Sequence, residues 1–205
     1  MSSSQVLPEA FYDSLSISNK LGDTLENFRQ EEIHLFSYFS SILFLYRGNP
    51  VADWRYNFIV DSKGYPFSDE LNEAIKRHIL NGILKSGEKF LEITARGSNE
   101  FYKFKDMPNI SKREQYIDAS CSTNIILPYS KTITSLLNDP EIIKMKNINS
   151  RKNLDIDLAY RHFSELSNAI GVPTDDLIIP AVTWINFVFQ RNMNERKNSV
   201  RKSSN

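Results

Sequence analysis

The sequence is poor in the features that most directly reveal a compartment or a membrane role. Cys121 is the only cysteine among 205 residues, so an intramolecular disulfide is excluded, which agrees with a reducing compartment. The longest strongly apolar run, residues 42–45, is far shorter than the roughly 20 residues of a membrane-spanning helix. The first residues lack the basic and apolar regions of a secretory signal. We therefore expect a cytoplasmic protein with no membrane contact.

Motifs for nucleotide, metal and nucleophilic chemistry are also missing. The seven glycines are scattered and form neither a phosphate-binding loop nor a dinucleotide fingerprint. The three histidines lie on separate predicted helices, and adjacent carboxylates stand at helix starts, where the helix dipole explains them. Cys121 has no base beside it in the sequence, which favours a buried structural thiol. We expect no enzyme activity, no cofactor and no metal; a site assembled from scattered residues is the least favoured alternative.

The charges balance overall but are unevenly distributed along the chain. Through Glu73, acidic residues outnumber basic residues 11 to 5, and from Ala74 onward basic residues outnumber acidic residues 20 to 14. An acidic front and a basic back suit a protein held between unlike partners. A chance asymmetry is the alternative.

Hydrophobic periodicity predicts a mainly α protein. A short helix begins at Pro8 and is interrupted at Gly22, whereas the run from Asp139-Pro140 through KMKNINSRKN predicts a loop. Residues 54–60 are either a short strand or an irregular apolar link. The other predicted helices cover residues 24–46, 68–84, 111–122, 130–137, 154–170 and 174–196.

Residues 68–104 predict the unit around which the chain is organised. They contain an amphipathic helix, a turn at Lys85-Ser86-Gly87, and a strand over 90–94 with alternating side chains. Residues 95–107 allow two continuations, a hairpin with a second strand or a helix capped by Thr94. Both place a helix beside a β-element, which is the winged-helix pattern.

The predicted organisation has three parts. Residues 1–107 hold the N-terminal helices and the winged-helix unit, and residues 108–190 form a C-terminal helical lobe. Residues 191–205 carry five basic residues and one acid among serines and asparagines, which predicts a basic disordered tail. Such a tail either adds non-specific phosphate contacts or only aids solubility.

Basic residues recur through the predicted winged-helix unit. Positive charge on the helix and on the β-wing would let the unit rest on phosphates, although acidic residues are interspersed. A solvated surface of mixed charge is the alternative. The candidate nucleic-acid contacts are Lys76, Arg77, Lys85, Lys89, Arg96, Lys103 and Lys105.

Aromatic residues are concentrated between residues 36 and 58. Because one helix face can hardly cover all of them, we expect some to form a partner-facing patch. The alternative is that they simply form the core. The candidate interface residues are Phe44, Tyr46, Trp54, Tyr56 and Phe58.

Three short motifs carry a family resemblance. A G-x-P-x-S-x-x-L helix start is followed by a Gly-Ile-Leu helix close and an Ile-Thr-x-x-Gly strand end. With the chain length and the helical flanks, they make the sequence similar to the middle component of bacterial ABC-three-component systems, and to LmuC-like winged-helix adaptor subunits of Lamassu-type anti-phage defence. The matching residues are Gly64, Pro66, Ser68, Leu71, Gly82, Ile83, Leu84, Ile93, Thr94 and Gly97.

The resemblance implies a non-catalytic adaptor that links an SMC-like ATPase subunit to an effector subunit. From the basic residues of the winged-helix unit, we expect this adaptor to contact the backbone of double-stranded DNA. It implies no particular binding residues. The alternative is a stand-alone winged-helix transcriptional regulator, in which the helix over 68–84 or its neighbour reads a major groove. That helix mixes Glu73 with Lys76 and Arg77, which favours backbone contact over base reading.

Overall fold

The computed structural model describes residues 6–148, 152–171 and 176–203. Within these ranges the chain is mainly α-helical, which confirms the predicted class. None of the described helices is long and apolar enough to cross a bilayer. The helices are α1 (Pro8–Thr24), α2 (Gln30–Tyr46), α3 (Asp69–Leu80), α4 (Ala95–Phe104), α5 (Pro108–Ile126), α6 (Tyr129–Leu137), α7 (Pro140–Ile148), α8 (Ile156–Ile170) and α9 (Ile178–Ser203).

Two small antiparallel sheets complete the described fold. Strand β1 (Ile59–Val60) pairs with β2 (Pro66–Phe67), and β3 (Leu84–Ser86) pairs with β4 (Leu91–Ile93) in a hairpin. A short 3-10 helix, Val51–Trp54, precedes β1. The predicted strand over 90–94 is therefore confirmed, and the segment 54–60 is mostly an irregular link that ends in a two-residue strand.

Helix α2 is the centre of the core. All its residues from Glu32 to Tyr46 are buried, because α1, α5 and α8 pack around it. Its serines are small enough for close helix approach, and Ser40 Oγ donates to the Phe36 carbonyl at 2.7 Å instead of requiring an external partner. This confirms a central helix that is buried on several sides.

Helix α1 continues through Gly22, where the sequence predicted an interruption. A Cβ atom at Gly22 would lie 2.6 Å from Ile93 Cγ2, so this glycine lets β4 approach the helix closely. Its role is close packing, and the helix ends two residues later at Thr24.

The β3–β4 hairpin is tied to the chain just before α2. Phe28 N–H donates to the Leu91 carbonyl at 3.1 Å, and Leu91 N–H donates back at 2.7 Å. Phe28 thereby adds a single-residue third strand on the free side of β4. The element order is helix α1, paired residue Phe28, helices α2 and α3, then the hairpin.

The ambiguous segment after β4 is a helix. Thr94 Oγ1 accepts the Gly97 N–H at 3.1 Å and caps α4, which is one of the two predicted continuations. A Cβ atom at Gly97 would lie 2.5 Å from the Ile83 carbonyl oxygen. Glycine therefore allows α4 to pack directly against the backbone that leads into β3.

Two regions predicted to lack regular structure are helical. Residues 140–148 form α7, in which the Lys and Asn residues obscured the buried Ile142 and Met145. Residues 191–203 continue α9, whereas the sequence predicted a disordered tail. Of the rest of the predicted loop, residues 152–153 are described and are not helical, whereas 149–151 lie outside the described residues. The predicted start of the last helix, 174–175, also lies outside them.

The predicted division between residues 107 and 108 is not a gap in packing. Helix α5 lies against both α1 and α2. Arg113 of α5 pairs with Asp13 of α1 in the interior. The two predicted parts therefore share one continuous core.

Candidate nucleic-acid interface

The candidate contacts all reach the surface of the basic unit, which we define as α3, the β3–β4 hairpin, α4 and Lys105. The structure leaves six of the seven side chains exposed, and Lys105 is half-buried. They differ, however, in what surrounds them.

Three of the seven are paired with a nearby carboxylate. The N–O distances are 2.6 Å for Lys76–Glu73, 3.4 Å for Lys85–Glu92 and 2.8 Å for Lys103–Glu100. Exposed pairs of this kind contribute about 0–1 kcal/mol to stability. They can therefore exchange a carboxylate for a phosphate at little structural cost.

Arg77, Lys89 and Arg96 make no ion pair within the part of the chain that the structure describes. Arg77 lies in the last turn of α3, Lys89 in the hairpin turn and Arg96 in the first turn of α4. We refer to these residues as the three unpaired cations. They present positive charge on three successive elements.

Lys105 has a different setting from the other candidates. Its ammonium nitrogen stands 5.4 Å from the centre of the Tyr102 ring. It lines a cleft together with Asp23, Asp106 and Asp118, so its charge is set among acids. Lys105 therefore differs from the other six candidates, because it lies among acidic side chains.

The exposed side of α3 is poorly suited to recognising DNA bases. Asp69, Glu70 and Glu73 are exposed on this helix. Leu80, near its end, is 80% exposed. If α3 entered a major groove, three carboxylates would approach the phosphates with it, which costs free energy. The backbone-contact interpretation remains the better one for the unit.

The hairpin turn adds an aromatic contact that the sequence reasoning missed. Phe90 is 44% exposed, and the Arg29 guanidinium lies 5.7 Å from the centre of its ring. Both residues line a groove of about 660 Å³ between the hairpin turn, the start of α2 and the β1–β2 loop. The alternation of residues 90–94 places Phe90 on the face opposite Leu91. Because Leu91 is buried, this alternation could have predicted that Phe90 is exposed.

A buried histidine supports this groove from below. His34 Nδ1 accepts the Ser68 N–H at 3.2 Å, and its ring stacks on Phe67 at 4.9 Å. The ring proton therefore resides on Nε2, which finds no acceptor among the described residues. Burial lowers the pKa of His34 to about 4, so the ring is neutral near pH 7. It fixes the start of α3.

Two further groups that could carry chemistry are used in packing. His78 Nε2 lies 2.9 Å from the Phe11 carbonyl oxygen, and burial lowers the pKa of His78 to about 4. Burial raises the pKa of the Cys121 thiol far above its usual range, so it is not a thiolate at neutral pH. The prediction of a buried thiol at Cys121 is confirmed.

The predicted aromatic partner patch is wrong. All five candidate residues are buried in the core, with Trp54 and Phe58 fully inaccessible. The rings of Phe44 and Trp54 are 5.4 Å apart, and those of Tyr56 and Phe58 are 5.5 Å apart. Residues 47–68 fold back over α2, and α5 closes the other side, so one helix did not have to cover them. Tyr46 is buried in the same way, against Phe163 of α8 at 5.0 Å.

The sequence did not distinguish Arg113 from the surface cations beside it. The structure places its guanidinium 4.0 Å from the centre of the Trp54 ring. Arg113 Nε donates to Asp13 Oδ1 at 2.9 Å, and the Tyr56 hydroxyl donates to Asp13 Oδ2 at 2.5 Å. This network connects α1, α5 and the 47–68 segment, and it leaves Arg113 unavailable to a nucleic acid.

Comparison with protein-family models, with curated proteins and with solved structures finds no match to this chain.

Proposed function

We propose that this chain is a non-catalytic adaptor whose basic unit rests on a nucleic-acid backbone. The observation that carries the proposal is the placement of Arg77, Lys89 and Arg96 on three successive elements, where none of them forms an ion pair among the described residues. Exposed Phe90 with Arg29 adds a second contact type at the hairpin. Phosphate recognition requires cations that can approach the backbone, and Arg77 and Lys89 have no ion pair among the described residues. Arg96 also has none, but Glu100 is close enough that the Lys103 hydrogen bond and the charge of Arg96 together lower the pKa of this carboxyl group.

The order of elements supports a winged-helix interpretation of this unit. A winged helix has a helix, a strand, two further helices and a hairpin in this order. Here the corresponding elements are α1, Phe28 in the place of the first strand, α2, α3 and the β3–β4 hairpin. Residues 47–68 would then be an insertion between the second and third helices. In this interpretation the β3–β4 hairpin is the wing, and Lys85 and Lys89 are its phosphate contacts.

The non-catalytic part of the proposal rests on how the reactive side chains are used. Cys121, His34 and His78 are all buried, and the two histidines have backbone hydrogen-bond partners. Their protonation states are set by burial and suit packing rather than proton transfer at neutral pH.

The wider setting of the proposal rests on the sequence resemblance. In this proposal, the partners are an SMC-like ATPase subunit and an effector subunit of a bacterial anti-phage defence complex. The nucleic acid is double-stranded DNA. The uneven charge distribution, acidic before Glu73 and basic after it, suits a subunit between unlike partners.

The test is duplex-DNA binding measured by fluorescence anisotropy across a salt series. We expect affinity to fall as salt rises, with a slope of about −0.9 for each phosphate neutralised. The triple variant R77A/K89A/R96A should reduce the magnitude of that slope by about 2 to 3. The control K144A/K152A/R161A removes three exposed cations from α7, α8 and the segment between them, of which Lys144 and Arg161 are ion-paired, and it should leave the slope unchanged.

Three outcomes would count against the proposal. Affinity that does not weaken with salt would contradict phosphate contact, and an equal loss in the control variant would contradict the assigned surface. A stable dimer that strongly prefers one duplex sequence would favour the transcriptional regulator instead.

A further inference from the structure

The β3–β4 hairpin of the basic unit has one face toward the core and one toward solvent. Leu91 is buried, and side chains alternate along a strand, so Phe90 stands on the opposite face. Phe28 pairs with Leu91 on the far side of β4, and the residues before and after Phe28 are exposed. We call this solvent-facing surface the outer hairpin face. It carries the exposed residues Asn27, Arg29, Lys85, Lys89, Phe90 and Glu92.

The Phe90 ring is open to solvent on this face. Phe90 is 44% exposed with Arg29 already in place, because the guanidinium stays 5.7 Å from the centre of the ring. Gly87 N–H donates to the Phe90 carbonyl at 2.9 Å, so the residue directly across the hairpin is a glycine. Since glycine has no side chain, it cannot shield the ring.

A shallow depression of about 390 Å³ lies beside this ring. Phe90 and Lys89 form part of its lining, and Asn27 lies at its other end, on the chain that precedes α2. Every residue that lines the depression is exposed. A flat group can therefore reach the ring directly from solvent.

The charges around the depression are mixed and slightly positive. Lys85 and Glu92 pair with each other at 3.4 Å, so they largely cancel. Glu88 and Lys89 are neighbours in the hairpin turn and also offset each other, which leaves the Arg29 charge beside the ring. An excess this small does not select a polyanion by charge alone. The exposed ring is the feature that distinguishes this surface from the rest of the basic unit.

We propose that the outer hairpin face stacks an unpaired base of a single-stranded nucleic acid on Phe90. Each base has a flat π face, and stacking on an aromatic side chain is the common way in which proteins hold single strands. Arg29 and Lys89 flank the ring and neutralise the phosphates on either side of the base. A base inside a duplex is covered by its neighbours on both sides, so only an unpaired base can use this ring.

This inference deepens the proposed function and rests on its statement that the basic unit contacts nucleic acid. It adds the class of substrate, which is a strand with unpaired bases. Phosphate contact weakens steeply with salt, whereas stacking involves no net charge and is screened far less. The two proposals can therefore fail separately.

The experiment compares two fluorescein-labelled strands of equal length by anisotropy across a salt series. One is an oligothymidylate, and the other has the same backbone with an abasic site at every position. We expect the full chain to bind the oligothymidylate about fivefold or more tightly, because only this strand can stack. Both affinities should fall with salt in parallel, because the phosphates are the same.

The variant Phe90→Leu keeps an apolar side chain and removes the ring. It should lose the preference for the oligothymidylate, which is about fivefold or more, and it should keep the salt slope. The matched control is Phe187→Leu on α9, where the phenylalanine is 43% exposed, and it should bind like the parent. Circular dichroism reports that each variant is folded.

The variant Phe90→Trp gives a direct readout of stacking. It should keep the preference for the oligothymidylate, because it retains an aromatic ring. Its tryptophan emission should fall when the oligothymidylate is added and stay unchanged with the abasic strand. The native Trp54 and Trp184 are buried, so they give a constant background.

The contrary outcomes distinguish the two proposals. If the parent binds both strands equally and with normal salt dependence, the stacking proposal is overturned and the phosphate contact stands. If it binds neither strand nor a duplex, both proposals are overturned. A preference that survives in Phe90→Leu, or that is lost equally in Phe187→Leu, overturns the assignment of the base to Phe90.

Discussion

Ion pairs have opposite uses in two regions of this molecule. In the interior, the side chains of Arg113 and Asp13 are 6% and 0% exposed. On the basic unit, those of Lys85 and Glu92 are 73% and 52% exposed. The interior pair has no access to another partner, whereas the exposed pair can exchange its partner with any passing ion. Burial therefore decides whether a charge holds the fold or remains available for binding.

The interior pair is held in its charged form by its own geometry. Burial alone would lower the pKa of Arg113, but the charge and the hydrogen bonds of Asp13 raise it above its usual value. The Tyr56 hydroxyl and the Trp54 ring add further contacts. Removing either charge would leave the other buried without compensation.

The largest expected effect comes from breaking this pair. The substitution Arg113→Ala should lower the free energy of unfolding by about 3–5 kcal/mol, because it leaves the Asp13 carboxylate buried and unpaired. Urea denaturation at pH 7 measures the change. Adding Asp13→Asn to Arg113→Ala should recover part of the loss, and a loss below about 1 kcal/mol in the single variant would remove the distinction between the two regions.

Acidification should produce the next largest effect, again in the interior. Burial lowers the pKa of His34 and of His78 from 6.5 to about 4. Below pH 6.5 the unfolded chain binds protons that the folded chain does not, so stability present above pH 6.5 is lost as the pH falls toward 4. The loss reaches about 3 kcal/mol for each histidine.

One buried acid opposes part of this loss. Burial raises the pKa of Asp139 from 3.8 to about 6, so the folded chain takes up a proton between those values and gains stability as the pH falls. Two histidines outweigh one aspartate, and the net change is destabilising. Urea midpoints from pH 7.5 to 4.5 measure it, and His34→Gln should reduce the slope with pH; a flat profile would show that the histidines are not held neutral.

The smallest effect is expected on the basic unit. The substitution Lys85→Ala should change the free energy of unfolding by less than about 0.5 kcal/mol, because the pair with Glu92 is exposed and long. The same urea measurement checks it. A loss above about 1 kcal/mol would mean that the surface pair, like the interior one, supports the fold.

The sequence predicted the long helices because their apolar periodicity is strong. Helices α3, α5 and α8 appear within four residues of their predicted bounds, whereas α2 begins at Gln30, six residues after the predicted start. The sequence prediction failed for α7, where the buried Ile142 and Met145 are separated by polar residues and give no clear periodicity. It also misjudged Gly22, because a glycine that permits close packing has the same local signature as one that ends a helix.

The candidate site was predictable only in part. Exposure of Arg77 follows from its place on the polar side of an amphipathic helix, and exposure of Lys89 follows from its place beside a predicted polar turn. Burial of Trp54 and Arg113 does not, because it depends on a segment folding back over α2 and on a helix about 60 residues further along the chain. Long-range packing of this kind leaves no periodic signal in one sequence.

The Arg113–Asp13 pair also has a consequence for the order of synthesis. The two residues are 100 positions apart, so the first helix emerges long before its charge partner exists. Until α5 has been made, Asp13 has no cation to enter the core with, and the central helix α2 lacks one of its walls. The first 107 residues therefore cannot complete their own interior, and the fold closes only when the later helices arrive.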